Sequence, residues 1–322
     1  MKLLQICNVG NICGGTAACA WTIQRALPGW SHQVWFRSRP TSETAAAFSG
    51  ATICHVPQIN TRVIHESGAD VALLHNIGPF PDEINGSPEF PSLVIQYHHS
   101  QGVRQTADLH VACSQWLGNQ LSLRPAVLYQ PVPVPLDGSF SPRDRFTDEL
   151  IIGRLCTPTA RKWPAELVLF YRNLARRHRN VQWEFVGAPQ PMQPQLADAC
   201  EGRVRFHEPD WQARQHLRRW HVLLYSQPHF TETFGRTVAE AMRAGCVPIV
   251  DSQGGFVEQI ETGETGFLCS TREEFHLAVS ELSNPATRWR HSLAAKARAD
   301  SLFSLRAFAE RFYAQISSFA TP

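Results

Sequence analysis

The segment HFTETFGRTVAEAMRAGCVPIV, His229–Val250, strings together a loop, a glycine, a short helical pattern and an apolar run. Phe230 to Phe234 follows HVLLYS, which reads as a strand, so the loop leaves that strand at its carboxyl end. Gly235 lets the backbone approach a ligand closely before a helix starts at Arg236 and continues to Ala244. The first amides of such a helix lack intrahelical acceptors and make a natural seat for a phosphate. Val238, Ala241 and Met242 fall on one side of the helix, while Glu240 lies about 200° around from Val238 and is expected off the core. Two readings of Glu240 stay open. It pairs on a solvated face with Arg236 or Arg243, worth a few tenths of a kcal/mol, or it serves a ligand.

Outward from this segment, short runs rich in Val, Ile and Leu alternate with helical patterns, the signature of parallel strands joined by crossover helices. In the first half the strands are KLLQICNV, HQVWFR, VALLHNI, SLVIQYH, HVACS and AVLYQ, with a helix predicted from Thr16 to Leu27. A proline-rich break, Gln130–Asp144, reads as an extended linker. The alternation then restarts with LIIGRL, VQWEFVG, VRFHE, HVLLYS, CVPIVDS and GFLCS, and with helices in PAELVLFYRNLARRHR and QARQHLRRW. The expectation is an α/β protein of two similar units, residues 1–135 and 145–304, facing across a cleft that holds the ligand. The last helical pattern, 305–320, with Phe308, Phe312 and Ile316 spaced by four, is expected to pack on a domain surface and complete the first unit.

Composition narrows the function classes. With 322 residues, 43% apolar and 18% charged, the chain can bury two cores, and a net charge of +2 gives no support to a nucleic-acid or membrane protein defined by bulk charge. Lysine occurs only at Lys2, Lys162 and Lys296, which draws attention to Lys162. Nine cysteines are scattered with no Cys-x-x-Cys pair and read as reduced, buried thiols, consistent with a cytoplasmic location. Gln5, Asn8 and Asn11 interrupt the apolar start of the chain, and no stretch approaches the roughly 20 apolar residues of a membrane span. The basic run Tyr171–Asn180 reads as a solvated helix face, with peripheral membrane contact as its minority reading.

The stretch from Glu232 to Leu268, TETFGRTVAEAMRAGCVPIV followed by GGFVEQIETGETGFL, resembles the donor-binding signature of the retaining GT-B glycosyltransferases of family four, glycosyl transferases group 1. The resemblance implies two Rossmann-like domains, with Glu232 on hydroxyls of the donor sugar and Glu240 on the ribose. It also places the turn and first helical residues, Thr233, Phe234, Gly235, Arg236 and Thr237, beside the donor. Carboxylates suit vicinal diols and would repel a diphosphate, so placing them at the two ends of the donor is chemically sensible. IIGRLCTPTARKWP resembles the family's Gly-Arg-Leu and Lys pair, which implies that Gly153, Arg154 and Lys162 meet the diphosphate. The separation of Arg154 and Lys162 is longer than usual, and Arg161 competes with Lys162. Gly14 and Gly15 resemble the N-terminal glycine loop, and His98 the histidine near the sugar, with His99 beside it leaving that assignment open.

What the resemblance implies is a metal-independent, retaining transfer of a sugar from a nucleotide diphosphosugar, a UDP-sugar ahead of a GDP-sugar, to an acceptor hydroxyl. The acceptor would be a sugar, a lipid-linked glycan or a small molecule, in glycan, glycolipid or glycoconjugate biosynthesis. The donor is a co-substrate, and no cofactor is expected. Absence of Asp-x-Asp removes the usual metal clamp of the other large glycosyltransferase fold, and no His-x-x-x-His pair suggests a metal. A nucleotide-sugar epimerase and a non-catalytic partner subunit are the alternatives. The acceptor is expected to meet first-unit loops such as Asn76–Phe90.

Overall fold

The computed structural model describes residues 1–80, 93–134 and 149–317. The chain divides into two compact units, Met1–Val132 with Leu302–Pro322, and Pro133–Ser301. The predicted linker from residue 135 onward and the acceptor loop from residue 81 onward lie outside the described residues.

The first unit is built on seven parallel strands: β1 Lys2–Cys7, β2 Ser31–Phe36, β3 Ala51–His55, β4 Val71–His75, β5 Leu93–His98, β6 Leu109–Ala112 and β7 Ala126–Val127. Their order is β3-β2-β1-β4-β5-β6-β7. Every residue of β4 is buried, as expected of a strand covered on both faces, and Leu4, Ile6, Leu74 and Val94 form the centre of the core. The strand β3 was not expected from the sequence. It is a half-exposed edge, and its mixed apolar and polar residues give no continuous apolar run. The C-terminal helix Leu305–Ser317 belongs to this unit, where Phe312 packs edge-on to Trp30 and the Trp30 indole donates to the Tyr313 hydroxyl at 2.7 Å.

The second unit repeats the plan with β8 Leu150–Leu155, β9 Val181–Val186, β10 Val204–His207, β11 Val222–Tyr225, β12 Val247–Asp251 and β13 Phe267–Cys269. The order is β10-β9-β8-β11-β12-β13, again with parallel pairs throughout. In both sheets the chain runs outward from the first strand, then returns and builds the other side. The strand order therefore reverses between β1 and β4 and between β8 and β11, the positions where open α/β sheets leave a crevice at their carboxyl ends. Behind β8 and β9 lies an aromatic core of Trp183, Trp220, Tyr171 and Phe185. QARQHLRRW, expected as a helix, forms a 3₁₀ segment, Trp211–Arg218. The basic run sits on helix Glu166–Arg177, where Arg172 and Arg177 pair with Asp198 and Glu273 at the surface.

Candidate active site

The two strands flanking the reversal in the second sheet each lead into one charged residue. Lys162 follows β8 and Glu232 follows β11, and the fold brings the two side chains together. Lys162 Nζ donates to Glu232 Oε1 and, at 3.1 Å, to the Tyr225 hydroxyl. The same hydroxyl donates to Glu232 Oε1 at 2.9 Å. Burial and the neighbouring Glu232 charge push the Tyr225 hydroxyl well above its ordinary range, so it remains a donor. The ammonium also lies 4.5 Å from the centre of the Phe230 ring. Side-chain exposures of 14% for Lys162 and 19% for Glu232 leave both reachable by a ligand while removing most competing water. Arg161 is exposed and stacks over Phe230 at 4.2 Å, apart from the carboxylate, so the geometry favours Lys162 over its neighbour.

Arg154, which the resemblance places on the diphosphate, has its guanidinium in the interior of the second unit. It is fully buried, with its guanidinium 4.5 Å from the centre of the Tyr225 ring. One arm donates to the Ser226 carbonyl at 3.0 Å and the other to the Lys162 carbonyl at 2.7 Å. Its place is beneath the cluster, where it fixes the main chain that carries Lys162. Gly153 is likewise a packing residue, since a Cβ there would lie 2.0 Å from the Trp220 ring. Phe234, expected beside the donor, is only 2% exposed and belongs to the core.

The turn itself is as tight as expected. Gly235 has φ +82° and caps helix Arg236–Arg243 in the left-handed region, and a Cβ there would meet the Phe256 ring at 2.2 Å. Both constraints demand glycine. The loop before it is held by close backbone contact, with Gly255 N donating to the Glu232 carbonyl at 2.9 Å. A Cβ on Gly254 would clash with that carbonyl at 2.3 Å. Thr233 and Thr237 remain half-buried on either side of the cap.

Glu240 corrects the sequence expectation of a residue off the core. It is 2% exposed, with Arg236 Nε at 2.9 Å and Arg214 at 3.5 Å from its Oε1. Arg214 reaches in from the 3₁₀ segment with its guanidinium over Trp211 at 3.7 Å. Arg243 is engaged elsewhere, with Asp300 at 2.9 Å. Helical periodicity missed this because the face opposite the sheet is itself covered by a second element. Tyr225 and Arg214 were also missed, although a tyrosine closing an apolar strand is a readable signal of a polar strand end, and Gly254 and Gly255 were read only as the start of the resembling stretch GGFVEQIETGETGFL.

In the first unit, Gly14 caps helix Gly15–Ala26, and the space beside Gly15 is open. His98 ends β5, 3% exposed, with Nε2 at 2.9 Å from His110 Nδ1 and with Nδ1 buried and making no hydrogen bond among the described residues. Burial, helped by the nearby His110 and Arg104 charges, holds its pKa down at about 4, so the ring is neutral at pH 7. His99 is a different case. Its ring is spanned by His75 at 2.9 Å and Gln130 at 3.0 Å, and His75 is tied onward to Gln5 at 3.1 Å. Of the two adjacent histidines, His98 therefore keeps a ring nitrogen for another partner.

Residues 149–284 match the family described as Glycosyl transferases group 1. No curated protein matches the chain by sequence. Among solved structures the chain is similar to Anabaena HepE in complex with UDP, at 16% identity and TM-score 0.77 over 99% of this chain and 100% of that one. It is similar to sucrose-phosphate synthase from Thermosynechococcus elongatus, at 16% identity and TM-score 0.73 over all of both chains. It is also similar to WaaG, a glycosyltransferase involved in lipopolysaccharide biosynthesis, at 13% identity and TM-score 0.68 over 98% of this chain and 99% of that one. The twice-built Rossmann-like sheet is thus a GT-B fold, and the stretch of its second unit that holds the Lys162–Tyr225–Glu232 cluster matches the model of the glycosyl transferases group 1 family.

Proposed function

We propose that this chain is a retaining glycosyltransferase that uses a nucleotide diphosphosugar, with UDP as the leading choice of carrier, and transfers the sugar to an acceptor hydroxyl bound through the first unit. The observation that carries the reading is the Lys162–Tyr225–Glu232 triangle at the strand reversal, beside the glycine-capped helix. A diphosphate entering there exchanges partners with the pair. The Lys162 ammonium turns to the phosphate oxygens, and the Glu232 carboxylate is released to accept hydrogen bonds from the sugar hydroxyls. The amides at the start of the Arg236 helix meet the same anion, and Glu240 takes the ribose hydroxyls. Arg154 acts through Lys162 by holding its main chain.

Charge grows on the leaving phosphate as the glycosidic bond to it breaks, and Lys162 stabilises that charge more in the transition state than in the ground state. The acceptor hydroxyl attacks from the face the phosphate leaves and passes its proton to that phosphate, so configuration at the anomeric carbon is retained. Support for UDP comes from the structural neighbour HepE, solved with UDP and with UDP-glucose.

The test is a thermal-shift screen with UDP, GDP, ADP and dTDP, followed by transfer from the matching α-linked donor and proton NMR of the product's anomeric signal. UDP is expected to raise the melting temperature most, because a ligand that binds only the native state stabilises it. No shift with any diphosphate sinks the donor assignment. An inverted product sinks retention alone.

A further inference from the structure

A second cluster lies in the same unit and shares no residue with the triangle. Glu184 is in β9, His207 ends β10, and His216 is on the 3₁₀ segment Trp211–Arg218. Glu184 Oε2 is 3.2 Å from His207 Nε2 and 3.9 Å from His216 Nδ1. One ligand atom from each of the three lies within 4.8 Å of the others. Tetrahedral zinc with bonds of about 2.0–2.1 Å sets its ligand atoms about 3.3 Å apart. The first contact already has that spacing, and the second needs a shift of about half an ångström.

Two features set this cluster apart from a closed ion-pair knot. The Glu184 side chain is 1% exposed, yet its Oε1 has no hydrogen-bond partner among the described residues. The Trp220 indole at 2.8 Å, Arg219 at 2.5 Å and His207 all crowd onto Oε2 instead. Two of the three side chains, His207 and His216, also line a hollow with Glu208, Asp210, Gln212 and Arg219, which gives an ion an entry path and room for a water as its fourth ligand.

Arg219 is the competitor for the carboxylate. Its side chain is 47% exposed, so its head can swing into solvent when a metal arrives, while Trp220 stays to orient Glu184 from behind. Two imidazoles and one carboxylate suit a borderline ion better than calcium or magnesium, which prefer oxygen donors.

We propose that Glu184, His207 and His216 form a binding site for one divalent transition metal ion of the zinc class. No local motif announces it, because the ligands come from three elements far apart in sequence.

The experiment titrates CoCl₂ into the EDTA-stripped and dialysed full chain, following visible absorption and thermal melting. One Co²⁺ per chain is expected, with the absorption of a four-coordinate ion, displacement by ZnCl₂ and a higher melting temperature. His207→Ala and His216→Ala, at partly exposed rings, should each weaken Co²⁺ binding at least about tenfold. Arg219→Ala should tighten it. The site is disproved if neither the wild type nor Arg219→Ala binds Co²⁺ saturably. It is equally disproved if binding persists unchanged in both histidine variants, which would place the ion elsewhere, such as the buried Cys19, His75 and His99 group. Should either histidine variant not fold, the pair of wild type and Arg219→Ala still decides.

Discussion

The two units share a strand order, with one further strand in the first sheet, and give their reversals different polar side chains. Between β8 and β11 the chain places formal charge, Lys162 against Glu232, with Arg154 buried beneath. Between β1 and β4 it places amides and imidazoles. Asn8 donates to the Asn76 carbonyl at 3.0 Å, and His75 links Gln5 to His99. Burial holds the His75 pKa at about 3, so its ring is neutral, while Arg37 and Arg104 donate to the Asn8 and Asn76 side chains at 3.2 and 3.3 Å and bring two cations to these amides. Topology therefore supplies a crevice in each half, and side chains decide its character: a lysine–carboxylate pair in the second, and amides, neutral imidazoles and two arginines in the first.

The sharpest way to break this contrast is to remove the charge that makes the second crevice a site for an anion. Lys162→Ala should lower turnover on the order of 10²-fold or more, with a smaller change in donor affinity, because its charge matters most as the phosphate leaves. Arg161→Ala should stay near wild type, since that side chain lies over Phe230 and not against Glu232. Steady-state kinetics of both variants reverse the assignment if Arg161→Ala is the crippled one.

Next in size is Glu240. As a surface pair it would be worth well under 1 kcal/mol, but here Arg236 and Arg214 converge on a buried carboxylate. Glu240→Gln leaves those cations facing a neutral amide. Urea unfolding should show a loss of about 3–5 kcal/mol, the range for breaking one side of a buried ion pair. Calorimetry with UDP should show weaker binding as well, through the lost ribose contact. A stability change below about 1 kcal/mol would return Glu240 to the solvated reading.

That residue also marks where sequence stopped being informative. Strands with continuous apolar runs, LIIGRL above all, were legible because burial on both faces leaves a local pattern. The glycine turn was legible because a left-handed cap before a helix has few alternatives to glycine. Lys162 and Glu232 were legible singly, each just before a helix, but their pairing through Tyr225 depends on two strands meeting in space. The buried role of Arg154 was hidden for the same reason. Its partners are main-chain carbonyls at Ser226 and Lys162, and no residue type reports a carbonyl.

A smaller effect sharpens the imidazole side of the comparison. The folded pKa of His98 is lowered from 6.5 to about 4, so the unfolded chain binds its proton more readily. The stability that His98 contributes is complete above about pH 6.5 and is lost as pH falls toward 4. His98→Gln should therefore reduce the acid dependence of the urea midpoint in that window relative to wild type. His110, also lowered by burial, keeps its own share of the dependence, so the reduction is partial. An unchanged slope would mean that His98 titrates in the folded chain as it does in the unfolded one.

The smallest expected effect is none. If side chains and helix amides neutralise the diphosphate, EDTA should leave the transfer rate where it was. The second crevice already offers a lysine ammonium and the start of a helix to the anion, and the chain contains no Asp-x-Asp to present a metal beside them. Among the described residues, the groups able to gather around an ion are Cys19 with His75 and His99, and Glu184 with His207 and His216. Neither includes Lys162, Tyr225 or Glu232, so a metal held at either could be stripped without touching the phosphate. Initial rates before and after EDTA make the measurement, followed by separate additions of Mg²⁺ and Zn²⁺. Loss of activity that Mg²⁺ restores would overturn the metal-free reading of the charged crevice. Recovery with Zn²⁺ alone would link transfer to an ion bound away from the triangle and would leave Lys162 as the cation on the phosphate.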